Sequence, residues 1–311
     1  LFCSWQVTYR CNSKCNFCDY WKQQIDPESE LSLSQIEKIS QKLAIIGSFV
    51  ISVAGGEPLL RTDLSQIIRV MSKHHFPVIT TNGYLVKKGI PGTLFQNGLA
   101  GASISIDYID PGKHDQARGI KGAFTKACEA LETFYLEKTS PQQQVNILSV
   151  LKDDNLDQIE PLIRLAAGYK ASLMLQPYCF LKTGQHLFDK KNLFQPSEYL
   201  LKLKTKYPNF KSSYTFLSRF NEYLKQGIPG CQTGRLFFNI DNTGNAAKCV
   251  EDLKHPVGNM VTLNPKELLA GLKKRHASNT CKDCWYNCRG EVESLYSPRG
   301  FIDGIKKVIN R

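Results

Sequence analysis

No stretch of this 311-residue chain holds 18 consecutive apolar residues, so nothing in it reads as a membrane-spanning helix, which needs about 20. The basic start, apolar run and small-residue cleavage site of an export signal are also missing. Carboxylates are scarce: 28 Asp and Glu stand against 40 Lys and Arg, a formal charge of +12. Such a surface attracts anions, whether nucleotides, phosphorylated metabolites, acidic peptides or headgroups, and serves equally as a plain solvated face. There is no helix-turn-helix, no RNP-like run and no aromatic-basic alternation that would grip a single strand, so a nucleic-acid partner is not expected. Internal repeats and low-complexity tracts are lacking too. The chain opens at Leu1 inside a strand-like run, from which a short preceding extension is expected.

Cysteine, by contrast, is plentiful, with 11 residues. Disulfide scaffolds are usually small and secreted, whereas a chain of this length, 42% hydrophobic, builds a core without them. Tight cysteine clusters without an export signal point to metal and to a reducing compartment, so the expected location is the cytoplasm.

Strand-like and helix-like stretches alternate from the start. "FCSWQVT", "FVISVAGG", "PVITTNG", "ASISID", "VNILSVL" and "ASLMLQP" read as strands, with helical stretches between them. The helix "LSLSQIEKISQKLAII" carries Ser34 and Glu37 at the spacing of a capping box. Six strands separated by helices imply a parallel sheet with right-handed crossovers. Either an open doubly wound sheet or a partial barrel satisfies the pattern, and both gather ligands at the carboxyl ends of the strands. After Pro177 the pattern changes to lysine-rich helical segments ("PSEYLLKLKTKY", "FLSRFNEYLKQG"). A hairpin-like piece, "RLFFNIDNTGNAAKC", follows, then a helix, "NPKELLAGLKKRH". The expected division is 1–180, a helical connection over 181–228, and 229–311.

Residues 11–18 read "CNSKCNFC", placing Cys11, Cys15 and Cys18 just past the first strand. Three thiolates suit soft iron or zinc. Structural zinc closes its tetrahedron with four ligands, and no fourth is nearby in sequence. An iron–sulfur cluster held by three cysteines leaves one iron open. The Cys-x3-Cys-x2-Cys spacing, with the aromatic Phe17 before its last cysteine, resembles the signature of the radical S-adenosylmethionine (SAM) superfamily. The resemblance implies a [4Fe–4S] cluster on Cys11, Cys15 and Cys18 whose open iron is chelated by SAM. It extends to "GGEP" (Gly55, Gly56, Glu57, Pro58) ending the second strand, where the glycines allow close backbone approach and Glu57 offers an acceptor to the methionyl amine. It includes Asn82 in "TTNG", Ser105 and Asp107 in "SISID" near the SAM ribose or carboxylate, and Arg118 in "HDQARG", able to meet a carboxylate. It implies a partial (β/α)6 TIM-like barrel followed by a small α+β auxiliary-cluster domain with a β-hairpin.

Cys231 and Cys249 bracket the hairpin, and Cys281, Cys284 and Cys288 follow in "CKDCWYNC". Four converging thiolates suit zinc or an iron–sulfur cluster, and spacing alone does not decide between them. The order resembles the auxiliary-cluster domains called Twitch and SPASM. Five cysteines imply one auxiliary [4Fe–4S] cluster, the Twitch arrangement, on Cys231, Cys249, Cys281 and Cys284. Cys288 is then an alternate ligand or a free thiol. Cys3 and Cys128 read as buried and inert. Cys179, just past the sixth strand, is with Cys288 a candidate hydrogen-atom donor.

The resemblance implies reductive cleavage of SAM to a 5′-deoxyadenosyl radical, which takes a hydrogen atom from the substrate. The electron is expected from a low-potential donor such as flavodoxin or ferredoxin. Only ten residues precede Cys11, so no leader-binding domain is expected and a polar, anionic small molecule is favoured over a ribosomally made peptide. The contrasting class is a non-catalytic, zinc-binding basic module, which has no use for a SAM pocket.

Overall fold

The computed structural model describes residues 1–184, 186, 195–297 and 300. Parts of the connecting segment (185, 187–194) and of the terminal segment (298, 299, 301–311) lie outside the described residues. The first half runs β1 (Phe2–Thr8), α1 (Leu33–Ile46), β2 (Val50–Gly55), α2 (Leu64–Ser72), β3 (Phe76–Thr81), α3 (Ile90–Gln96), β4 (Gly101–Ser105), α4 (Pro111–Arg118), α5 (Ala123–Leu136), β5 (Gln144–Leu151), α6 (Ile159–Gly168) and β6 (Ser172–Pro177). The six strands pair in parallel and in chain order, the expected partial barrel. Among the described residues no helix is long and apolar enough to cross a membrane.

The strands form because apolar, β-branched and aromatic residues dominate short runs covered by helices. On one face Cys3, Trp5, Ile51, Val53 and Ile79 are buried against Ile36, Ile39 and Leu43 of α1 and Ile67, Ile68 and Met71 of α2. Each large apolar side chain so buried stabilises the fold by roughly 1.5–3 kcal/mol. The other face carries small polar residues: Ser4 stands beside Ser52, Thr80 beside Ser103, and Ser103 beside Asn146. Closed barrels fill this space with bulky branched side chains; here it stays open.

The capping box of α1 differs from the expectation. Ser32 caps the helix, its hydroxyl accepting from the backbone of Gln35 while the Gln35 side chain returns to the Ser32 N–H. Ser34 lies inside the first turn, because the Ser-x-x-Gln spacing two residues earlier satisfies the same donors. Helix α4, over "PGKHDQAR", was not anticipated.

Helices α7 (Ser197–Lys206), α8 (Tyr214–Ser218) and α9 (Phe220–Gln226) follow, and the stretch 209–212 between α7 and α8 runs along the outer edge of β6. Leu173 N donates to Asn209 O at 2.9 Å, Lys211 N to Leu173 O at 2.8 Å, and Leu175 N to the Ser212 hydroxyl at 2.9 Å. The chain returns through β7 (Phe237–Ile240), β8 (Asn245–Ala247) and β9 (Gly258–Asn259) to α10 (Pro265–Ala277) and α11 (Asn287–Leu295). β7 pairs parallel to β1, with Phe2 opposite Phe237 and Trp5 opposite Ile240, while β8 and β9 continue antiparallel. The hairpin therefore extends the barrel sheet. Lys42 of α1 ties it down from behind, donating to the carbonyls of Met260, Val261 and Leu263 at 2.8–2.9 Å.

Candidate functional site

A cavity of about 660 Å3 runs the depth of the sheet. At the carboxyl ends of the strands its wall includes Cys11, Cys15, Phe17, Cys18, Gly55, Gly56, Asn82, Ser105 and Arg118, together with Cys179, Tyr286 and Cys288. At the other end it reaches Phe2, Val50 and Phe76. Glu57, Pro58, Asp107, Cys231, Cys249, Cys281 and Cys284 stand behind this wall rather than in it.

The Cys11–Cys18 loop is pinned from three sides. Lys14 N and Asn16 N donate to Arg118 O and Ala117 O at 3.0 and 3.1 Å, at the end of α4. The Trp21 indole donates to Cys15 O at 3.1 Å. From β3, the Asn82 amide donates to Asn12 Oδ1 at 2.7 Å and Ser13 Oγ at 3.0 Å. Gly119 ends α4 at φ +63°, and a Cβ there would lie 2.4 Å from Lys14 O; "ARG" thus ends in glycine because the cysteine loop crosses it.

Gly55 and Gly56 serve the same close approach. Cβ atoms on them would lie 1.9 Å from Thr8 O and 2.1 Å from Arg10 O, the carbonyls that accept from Gly56 N and Glu57 N at 2.8 Å. Their bareness thus admits first the backbone leading into the cysteine loop. Glu57 is fully buried, accepting from Thr81 Oγ1 at 2.8 Å, Leu59 N at 3.1 Å and Asn82 N at 2.7 Å. Burial pushes its carboxyl up, and those three donors offset only part of that rise. Pro58 opens the short turn that Glu57 caps.

Asp107, also fully buried, accepts from Val150 N at 2.8 Å and pairs with Arg118 Nη2 at 2.7 Å. Burial raises its carboxyl, but the Arg118 charge leads the forces that hold it below the usual range. Arg118 in turn reaches Cys15 Sγ at 4.0 Å and lies 5.1 Å from the Phe17 ring centroid. Lys152, which the sequence reading missed, lies 4.7 Å from that ring and is 1% exposed. Its signal was its position directly after the fifth strand, where such folds gather ligands.

Burial pushes the Cys11 thiol up to about 12, and Cys15 and Cys18 are near enough to push it further. The second group is similarly crowded. Burial pushes Cys249 up to about 12, with Cys231 adding to it. Burial likewise raises Cys284, with Cys288, Cys179 and Cys231 adding to it, and raises Cys231 with Cys281 nearby. Cys179 therefore joins the second group, its thiol donating to Asp283 O at 3.1 Å, and Cys288 rides the first turn of α11. Arg289, with no exposed surface, binds this region together by donating to Ile228 O at 2.6 Å, Cys284 O at 2.8 Å and Pro229 O at 3.2 Å. Between the two groups, Lys182 pairs with Glu251 at 2.8 Å and sits 3.9 Å from the Tyr20 ring centroid, while the Tyr286 hydroxyl donates to Glu251 at 3.1 Å.

Among the described residues, no three His, Cys, Asp or Glu side chains converge closely enough to hold a single ion. Cys11, Cys15 and Cys18 do face the cavity, and three soft thiolates within eight residues fit an iron–sulfur cluster with open space beside it. Gln6, 3% exposed, also leaves a buried Oε1 without a partner at the cavity wall, as a polar ligand requires.

A family model described as the Radical SAM superfamily matches residues 5–166. The chain is 32% identical to the Fe-coproporphyrin III synthase of Methanosarcina barkeri, covering 94% of this chain and 84% of that one. It is 26% identical to the mycofactocin maturase MftC of Mycolicibacterium smegmatis, covering 92% and 76%. Streptococcus suis SuiB, solved with its precursor peptide SuiA, superposes with a TM-score of 0.68 at 17% identity, over 85% of this chain and 63% of SuiB. The chain thus spans less than two thirds of that structural neighbour.

Proposed function

The chain belongs to the radical SAM superfamily, and we propose that it abstracts a hydrogen atom from a polar, anionic small molecule with the help of an auxiliary cluster. The observation that carries this reading is a single cavity reaching both thiol groups, Cys11, Cys15 and Cys18 on one part of its wall and Cys179 and Cys288 on another. A [4Fe–4S] cluster on the first three cysteines, with SAM bound, supplies the low-potential electron and the radical that such chemistry needs.

The protein's part is to hold, orient and enclose. Gly55, Gly56, Asn82, Ser105 and Arg118 present polar edges to SAM from the cavity wall, with Phe17 against Arg118. Glu57, Pro58 and Asp107 act from behind: Glu57 fixes Asn82 and Asp107 fixes Arg118. Cys231, Cys249, Cys281 and Cys284 ligate the auxiliary [4Fe–4S] cluster, with Cys288 as alternate. Whichever of Cys288 and Cys179 is left free is placed to return a hydrogen atom. The unit 1–180 forms the SAM barrel, 181–228 the connection and 229–311 the auxiliary-cluster unit. A flavodoxin or ferredoxin supplies the electron.

The substrate class is supported by the cavity's charges. Among the described lining residues Arg118 and Lys182 are the charged ones, and neither Asp nor Glu lines it. The hydroxyl rungs of Ser4, Ser52, Thr80 and Ser103 suit a polar molecule. A peptide substrate is the second reading, favoured by the similarity to a protein named as a maturase over most of this chain.

The test is anaerobic reconstitution of the wild type and of a Cys11/Cys15/Cys18→Ala variant, with iron and sulfide counted and 5′-deoxyadenosine measured after SAM and dithionite. Iron halving and cleavage vanishing in the variant supports both clusters. Iron vanishing altogether in the variant removes the auxiliary cluster from the proposal, and no cleavage by a fully loaded wild type removes the radical reading.

A further inference from the structure

The family resemblance assigns Glu57 as the acceptor for the methionyl amine of SAM, but its carboxylate is already engaged. Its Oε1 accepts from Leu59 N at 3.1 Å and Thr81 Oγ1 at 2.8 Å, and its Oε2 from Asn82 N at 2.7 Å. It has no exposed surface and stands behind the cavity wall. An amine arriving at Gly55 and Gly56 therefore needs another acceptor, because a buried N–H without a partner weakens binding. Neither Asp nor Glu lines the cavity among the described residues, so that acceptor is not a carboxylate.

Among the described residues that line the cavity, two buried side-chain oxygens have no hydrogen-bond partner, Gln6 Oε1 and Asn287 Oδ1. Asn287 opens α11 beside Cys288, in the second cysteine group. Gln6 lies on β1 opposite Ala54, the residue before Gly55, and a Cβ on Gly55 would sit 3.4 Å from Gln6 Cβ. The Gln6 side chain is 3% exposed, and its Nε2 donates to Ser4 Oγ at 3.0 Å, which leaves the carbonyl end of the amide unused. An oxygen left in that state destabilises the empty protein, and a ligand N–H recovers what the fold gives up.

We propose that Gln6 is a SAM-binding residue, its Oε1 accepting an N–H of the methionyl amine at Gly55 and Gly56. Glu57 then shapes the site from behind, through Asn82. This rests on the reading that SAM binds in this cavity. An amine that chelates iron keeps N–H bonds to donate, so the two contacts are compatible. Gln6 binds and orients, and no bond of its own is made or broken.

The experiment is equilibrium binding of two probes to the anaerobically reconstituted holoenzyme, for wild type, Gln6→Met and Gln6→Glu, with iron counted in each. S-Adenosylhomocysteine carries the amine, methylthioadenosine lacks the whole amino-acid end, and both have an uncharged sulfur. The ratio of their affinities is expected to fall about tenfold in Q6M, the size of one hydrogen bond to a polarised N–H. In Q6E it is expected to stay at or above wild type, because a carboxylate is the stronger acceptor. An unmoved ratio in an iron-loaded Q6M overturns the proposal. So does an equal fall in Q6E, which would assign the effect to the shape of the site. If Q6M does not load, Q6E decides: a raised ratio supports the proposal, and an unmoved or lowered one overturns it. A wild type that holds its iron but binds neither S-adenosylhomocysteine nor SAM defeats the SAM reading itself, and the proposal with it.

Discussion

The two cysteine groups are built in different ways. The first is local: three thiols within eight residues of one loop, held by backbone hydrogen bonds to the end of α4 and by Asn82. The second is assembled from distant pieces, with Cys179 after β6, Cys231 before β7, Cys249 after β8, Cys281 and Cys284 in a loop and Cys288 on α11. Arg289, the buried tie among them, donates to carbonyls about sixty residues away. A local site survives wherever its loop is anchored, whereas an assembled one depends on every element that feeds it.

The sharpest way to break the comparison is a single thiol in each group. Cys15→Ser is expected to reduce SAM cleavage to background, while Cys249→Ser leaves cleavage in place and removes only the second group's iron; loss of cleavage in both would make the two groups one functional unit. Next comes Arg289→Met, which leaves the Ile228, Pro229 and Cys284 carbonyls buried without donors and costs about 3 kcal/mol or more. Denaturant midpoints and iron counts should show lower stability with iron lost from the second group alone. Gly56→Ala tests the local site instead. Its Cβ meets Arg10 O at 2.1 Å, a backbone overlap costing about 2–3 kcal/mol, and iron should leave the first group before the second.

The smallest effect is a pH dependence of stability that arises beside the first group. His114 is buried and its Nδ1 accepts from Asp107 N at 3.2 Å. Burial first, then the Arg118 charge, lowers its pKa to about 4. In the unfolded chain it binds a proton below about 6.5, so between pH 6.5 and 4 the unfolded state holds more protons and stability falls as pH falls. Between pH 7.5 and 6 the loss is about 1 kcal/mol. His114→Asn should flatten that slope in pH-dependent unfolding; an unchanged slope would place the titration elsewhere.

The difference between local and assembled also governs what the sequence revealed. "CNSKCNFC" shows its thiols together because the chain itself holds them together, and the strand alternation of the first half follows from composition and period. Lys152 gave a weaker sign, its place directly after the fifth strand, and only the packing of Phe17 and Tyr108 on it shows that it is buried. Glu57 and Asp107 were recognised as special, but their inward aim depends on donors from β3, β5 and α4 that no local pattern specifies. Helix α11 was overlooked because its first turn follows a cysteine-rich loop, and Cys179 joins its neighbours only through the tertiary fold.

The parallel pairing of β7 with β1 has a consequence for how the chain is made. Until residues 237–240 have emerged during synthesis, β1 keeps one side without a partner, although β2 to β6 can already stack on its other side. An unpaired flank of mostly apolar strand, next to the thiol loop, is an invitation to pair with another nascent copy. The slow, long-range closure by β7 is the step that withdraws it.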